Sequence, residues 1–160
     1  MLYALSRDLA FFCIDFYARN RSSDLRRAKS REVLYLPDSS GLFVHHTFEK
    51  TLRDGLTHSF GLRTSRQSTI CPASSLKLYL AICRSIKVDI SSGVLFRSLD
   101  RHSAISQEPF IGSAPYNRLN GYLADLGIDE IETRQSVRSG CSITVELLGI
   151  PKQDLARHVG

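Results

Sequence analysis

The stretch RQSVRSGCSITVELLG, residues 134–149, decides how this chain is read. Val137, Cys141, Val145 and Leu148 recur at the spacing of one helical stripe, and Gly149 supplies a stop. Arg138 stands beside the first residue of that stripe. Ser139, Gly140 and Cys141 follow it, small enough to let a backbone or an anion approach closely. A guanidinium fixed there suits a negatively charged target. Only eleven residues follow this helix, ending in ARHVG.

Working outward, Leu119, Tyr122, Leu123 and Leu126 predict a helix ended by the turn LGIDE. Leu76, Tyr79, Leu80, Cys83 and Ile86 predict another behind Cys71–Pro72, capped by Ser74 or Ser75. Residues 89–112 read mostly as loop. EVLYL and LFVHH flank the turn PDSSG, and a second turn falls near EKTLRDG, which predicts two or three antiparallel strands. Leu2, Leu5, Leu9, Phe12 and Phe16 predict a core-facing first helix. Ser22 or Ser23 caps a short helix through Asp24 and Leu25, and Pro151 opens a last one, PKQDLARHV. The expectation is an α+β, mainly helical fold with one small antiparallel sheet, and a single domain over residues 1–160.

Composition bounds the function. Lys and Arg number 21 against 16 Asp and Glu, a net charge of +5 that favours polyanionic partners, nucleic acid first among them. Cys13, Cys71, Cys83 and Cys141 form no C-x-x-C pair and no zinc-spaced cluster, so they read as reduced core residues and no metal is expected. Arg7, Asp8 and Asp15 interrupt the first twenty residues, against a signal peptide or a membrane span. The expected location is intracellular, and nuclear if the source is eukaryotic.

The order of these features carries a resemblance. R-x-x-D-L (Arg21, Asp24, Leu25), then Lys50 in a turn of the sheet, then Q-x-x-R-S-G (Gln135, Arg138), then a short helix ending in Val-Gly, resembles the catalytic domain of tyrosine recombinases, the phage-integrase family. The versions carried by eukaryotic mobile elements are the most similar, and the likeness spans essentially the whole chain. It implies a tyrosine-recombinase-like catalytic fold that cuts and rejoins duplex DNA through a phosphotyrosyl intermediate. No cofactor is implied, because that bond conserves the phosphodiester energy. It also implies a homo-oligomer on DNA in the full-length form.

Attack on a phosphodiester passes through a state with more charge on the non-bridging oxygens, and fixed guanidinium groups stabilise it more than the ground state. Arginine suits this task because its planar fork makes paired bonds and stays charged. By position, Arg21 and Arg138 are the two phosphate clamps, Lys50 the general acid for the leaving oxygen, and Asp24 the support of the first arginine. Asp24 equally suits a first helical turn, where the dipole favours a carboxylate. Arg26, Arg27 and Lys29, with Arg53 beside Lys50, are candidates for further DNA-phosphate contacts, and Arg31 extends the run RSSDLRRAKSR.

Two departures bear on activity. Gln135 stands where the family has a histidine, and an amide donates hydrogen bonds but exchanges no proton near neutral pH. Loss of such an acid–base group typically costs on the order of 10²–10⁴ in rate. None of Tyr3, Tyr17, Tyr35, Tyr79, Tyr116 and Tyr122 occupies the nucleophile's place, and His158 matches a helix end rather than the family's later histidine. The expectation is a catalytic domain incomplete at its C-terminus and inactive as written, or else a non-catalytic DNA-binding remnant of a mobile-element recombinase.

Overall fold

A computed structural model describes residues 2–18, 22–46, 58–110, 113–128, 134–151 and 153. In chain order these form helix α1 (Leu2–Ala18), the single turn α2 (Ser22–Leu25), strands β1 (Val33–Tyr35), β2 (Gly41–His46) and β3 (His58–Arg63), and helix α3 (Pro72–Ser85). Strands β4 (Arg97–Leu99) and β5 (Ile105–Pro109) and helices α4 (Ala114–Asp125) and α5 (Arg134–Leu147) complete the set. The fold is α+β, as its patterns predict. The last predicted helix falls, apart from Pro151 and Gln153, outside the described residues.

The three-stranded sheet has the order β1-β2-β3, antiparallel throughout, with Val33 opposite Val44 and His46 opposite His58. Its pleat separates the two faces. Leu42 and Val44 on β2 and Phe60 and Leu62 on β3 are buried, while Phe43, Ser59 and Gly61 between them are exposed. Burial of each large side chain contributes about 1.5–3 kcal/mol. Gly41 is the one place in β2 where strands approach too closely for a side chain, because an added Cβ would run into the Leu62 carbonyl oxygen.

The sheet and α3 close over α1. Ala73, Leu76, Tyr79 and Cys83 form the inward stripe of α3. Phe11 at the centre of α1 meets Phe96 and Phe110 edge-on, each with ring centroids 5.4 Å away, the arrangement aromatic quadrupoles favour. Neither Ser74 nor Ser75 caps α3. Cys71 holds the N-cap place ahead of Pro72, and the Ser75 hydroxyl donates instead to the Pro72 carbonyl at 3.0 Å. Desolvation raises the Cys71 thiol, but hydrogen bonds from Ser74 and from nearby backbone amides outweigh it and leave its pKa lowered. All four cysteines are buried thiols outside any disulfide.

Three expectations are corrected here. Leu2, Leu5 and Leu9 do not face the core; they are 63%, 41% and 40% exposed. The buried face of α1 instead carries Tyr3, Arg7, Asp8, Phe11, Ile14 and Asp15, so the helix is apolar on both sides with its charges turned inward. There are two sheets where one was expected: β4 and β5 pair antiparallel within residues 89–112, the rest of which is mostly loop as predicted. Asp100 folds their turn by accepting the amides of His102 and Ala104 at 2.8 and 2.9 Å. The stripes of the later helices also shift: Ile86, Leu126 and Leu148 are exposed, and Tyr116 rather than Leu126 anchors α4.

Three helices end alike. In α3, α4 and α5 a residue just past the cap takes a left-handed conformation: Lys87 (φ 59°), Gly127 (φ 72°) and Gly149 (φ 72°). The following amide reaches back to the helix in each case, Val88 to Cys83 O at 2.8 Å, Ile128 to Leu123 O at 2.9 Å and Ile150 to Val145 O at 3.1 Å. Glycine adopts this conformation without strain, whereas an L-residue with a Cβ costs roughly 1–2 kcal/mol there. A cation at a helix C-terminus recovers about 0.3–1 kcal/mol. Lysine is the strained choice of the three.

Candidate nucleic-acid interface

Of the residues proposed to act on phosphate, Arg21, Lys50 and Arg53 lie outside the described residues. Gln135 and Arg138 belong to the first turns of α5, where the backbone is described and the side chains are not. The described chain on either side of them still fixes where those stretches attach.

The first attachment is one end of the sheet. Val33 opens β1 opposite Val44, near the end of β2, and β2 and β3 finish and start at the paired residues His46 and His58. The stretch 47–57, which bears Lys50 and Arg53, therefore leaves and re-enters the sheet at the end where residues 26–32 arrive. The second attachment is the end of α1. Gly140 of α5 lies against Phe16, whose ring carbon would stand 3.6 Å from an added Cβ. Phe16 precedes Arg21 by five residues and Gly140 follows Arg138 by two.

Asp24 is 5% exposed in α2, beside the fully buried Leu25. Its backbone carbonyl accepts the Arg27 amide at 3.0 Å. From there the chain alternates: Arg27, Lys29 and Arg31 are exposed, while Ala28 and Glu32 are buried. Arg27, Lys29 and Arg31 are thus the exposed cations of this edge of the fold, which passes from a turn into a 3-10 turn at Ser30–Glu32. Arg26 is half-buried, and its guanidinium donates to the Phe110 carbonyl at 3.4 Å, so part of its capacity is spent within the fold.

This edge is held by backbone bonds to a loop ahead of β4. Ser30 N donates to Gly93 O at 3.0 Å, and Leu95 N to Ala28 O at 2.9 Å. Lys29 and Val94 form a β-bridge. The Lys29 amide also donates to the buried Glu32 carboxylate at 2.8 Å. Behind the loop stands Arg97, 3% exposed, whose guanidinium donates to Ser92 O at 2.8 Å and to Val94 O at 3.2 Å. A buried charge that spends its donors on two loop carbonyls fixes the loop, and through it the cationic edge.

No protein-family model matches this chain, and no curated protein is significantly similar to it.

The tyrosines take structural roles. Tyr3 and Tyr79 are buried, donating to Arg97 O at 3.2 Å and to Leu95 O at 2.9 Å, and Tyr116 is buried against Asp15. Desolvation raises both the Tyr3 and Tyr79 hydroxyls, that of Tyr79 far beyond its ordinary value. Tyr35 is exposed and donates to Ala73 O at 3.2 Å. Among the described residues no group of three or more His, Cys, Asp or Glu converges on a metal-sized site. None of their helices is long and apolar enough to cross a membrane.

Sequence reasoning missed both the Arg97 clamp and the left-handed Lys87. The left-handed lysine could not be read, since φ is not visible in sequence. Arg97 had a signal of its own, lying directly after the apolar run VLF, where a charged side chain enters a core position.

Proposed function

We propose that this chain is a duplex-DNA-binding domain of the tyrosine-recombinase type, in which basic side chains from separate elements grip the phosphate backbone. Arg21 and Arg138 clamp one phosphate through paired hydrogen bonds, Lys50 reaches the same group from its turn, and Asp24 supports Arg21. Gln135 contributes a neutral donor. Arg27, Lys29, Arg31 and Arg53 add contacts that position the duplex without reading its sequence.

The observation that carries this reading is the shared end of the sheet. The run bearing Arg27, Lys29 and Arg31 and the attachment points of the stretch bearing Lys50 meet there by strand register. Phe16 and Gly140 bring the flanks of Arg21 and Arg138 together on the helical side. The flanks of Arg21 and Arg138 thus meet at one place, and the flanks of Lys50 and of the basic run at another, which is the support for the reading.

The chemistry proposed of these residues stops at gripping the phosphate. A phosphotyrosyl step needs an accessible tyrosine beside the clamp; Tyr3, Tyr79 and Tyr116 are buried in the packing, and the exposed Tyr35 is bonded to the Ala73 carbonyl. The second form of the reading is a recombinase-derived module that binds DNA without cutting it.

Binding to a double-stranded oligonucleotide tests the proposal. Affinity is expected to fall by about 10³ or more between 50 and 200 mM salt if six or more phosphates are contacted. Neutralising Lys29 and Arg31 together to Gln is expected to reduce the slope of log K on log salt by about 1.8, two phosphates' worth. Binding that ignores salt would remove the phosphate-gripping role.

A further inference from the structure

The left-handed lysine at the end of α3 belongs to neither the core nor the residues assigned above. We propose that Lys87, with Arg84, forms a second row of DNA-phosphate contacts, and that the strain at Lys87 is retained because a cation is needed at that spot. This inference rests on the DNA-binding reading and extends it to a surface that the recombinase-like motifs do not include.

Position comes first. Lys87 and Arg84 are exposed on the rim of a cleft of about 470 Å³ whose floor is formed by Leu80, Val88 and Ile90. Asp89 shares the rim and accepts the Ser91 amide on Oδ1 at 2.9 Å, a bond that lowers its pKa and keeps it anionic, so the two cations still exceed the one carboxylate there. Ser91, also on this cleft, lies within roughly 7 Å of Gly93 by chain length alone. The Gly93 carbonyl accepts the Ser30 amide. The 89–94 loop therefore links the backbone of Lys29 and Ser30 to the cleft that Lys87 and Arg84 border, and Arg97 holds that loop through the Ser92 and Val94 carbonyls. Exposed cations at both ends of one braced loop suit a polyanion that runs along it.

The second observation is the choice of residue. Three helices of this protein end in the same turn, and two of them use glycine at the left-handed position. Only α3 uses a side chain there, and that side chain is a lysine. Strain kept at an exposed cation points to a use for the cation. An acidic peptide could also be drawn to these charges, but the neighbouring row of Arg27, Lys29 and Arg31 favours a long, regularly charged partner.

The test pairs stability with binding in the full chain. Lys87→Gly is expected to melt at the same temperature or up to about 3 °C higher, because relief of the left-handed strain is partly offset by the lost helix-end charge. The same variant is expected to bind a double-stranded oligonucleotide with a slope of log K on log salt shallower by about 0.9. Lys87→Arg should keep the slope of the unmodified protein. A Lys87→Gly variant with an unchanged slope overturns the inference and leaves the DNA reading standing, as does one that melts lower. An unmodified chain that shows no salt-dependent binding to duplex overturns both, and salt-dependent binding of a polyglutamate chain alone assigns the surface to acidic protein instead.

Discussion

Replacing Asp8 by alanine is expected to cost about 3–5 kcal/mol of folding stability, the range seen when one member of a buried ion pair is removed. The Asp8 carboxylate is 1% exposed and accepts four hydrogen bonds. One oxygen takes Nε and Nη2 of Arg7 at 3.0 and 2.8 Å. The other takes Nε of Arg118 and the Tyr122 hydroxyl. Without it the Arg7 guanidinium, itself 1% exposed, keeps the Arg97 carbonyl at 2.7 Å and the rings of Phe110 and Tyr3 at 3.7 and 5.6 Å. A cation–π contact of about 2 kcal/mol does not compensate a desolvated charge. Urea unfolding of the variant should show the loss as a lower midpoint at an unchanged slope. Arg118→Ala should cost far less, because that side chain is 35% exposed and solvent screens its pairing. Equal losses at the two positions would contradict the account of α1.

Asp15→Asn is expected to change the pH dependence of stability by up to about 4 kcal/mol. Burial pushes the Asp15 carboxyl up to about 7, against the smaller downward effect of the Tyr116 hydroxyl donating to Oδ2 at 3.2 Å. Its Oδ1 is buried with no hydrogen-bond partner among the described residues. Its place in the last turn of α1 adds an unfavourable helix dipole. The folded-state value lies above the unfolded one, so the fold prefers the protonated acid. The stability this gives is complete below about pH 4, is lost as the pH rises to about 7, and stays lost above that. An amide at 15 carries no such loss. The variant should match the natural chain near pH 4 and exceed it at pH 8, with the gap bounded by 1.36 kcal/mol per unit of pKa difference. Parallel stability curves for the two proteins across this range would show that Asp15 does not titrate on folding.

Both predictions concern residues whose role the sequence understates. Arg7, Asp8 and Asp15 read as charges that keep α1 out of a membrane, yet they lie on its buried face. The helix offers more apolar side chains than one face can hide, and Leu2, Leu5, Leu9, Phe12 and Phe16 make the more regular stripe. Packing chose the other face because Phe11, Ile14 and Tyr3 meet the aromatic cluster of Phe96, Phe110 and Tyr79, where shape rather than periodicity decides. A charged residue beside a core aromatic is legible only once its partner from a distant helix is known. Arg118 and Tyr122 are more than a hundred residues away from Asp8.

What was legible has local causes. The sheet followed from the strand-like runs EVLYL and LFVHH around the Pro-Asp-Ser-Ser-Gly turn with a second turn after them, and the ends of α4 and α5 from Gly127 and Gly149. The β4–β5 hairpin escaped notice because Arg-Ser-Leu and Ile-Ser-Gln-Glu-Pro carry few β-branched or aromatic residues. Its pairing is secured by Asp100 in the turn and by the Ser98 and Ser106 hydroxyls, 2.8 Å apart across the strands. For the candidate interface, residue types and order were readable, while the bracing of Lys29 and Arg31 by a loop from the other end of the chain was not.

The central claim is that Arg21 and Arg138 grip the same phosphate, and a double-mutant cycle on duplex-DNA binding tests it most directly. Two guanidinium groups on one phosphate are coupled, so Arg21→Ala combined with Arg138→Ala should cost clearly less than the sum of the single losses. The salt slope should then fall by about 0.9, one phosphate's worth, rather than by twice that. Strictly additive losses, with a slope reduced by about 1.8, would place the two arginines on separate phosphates and contradict the account.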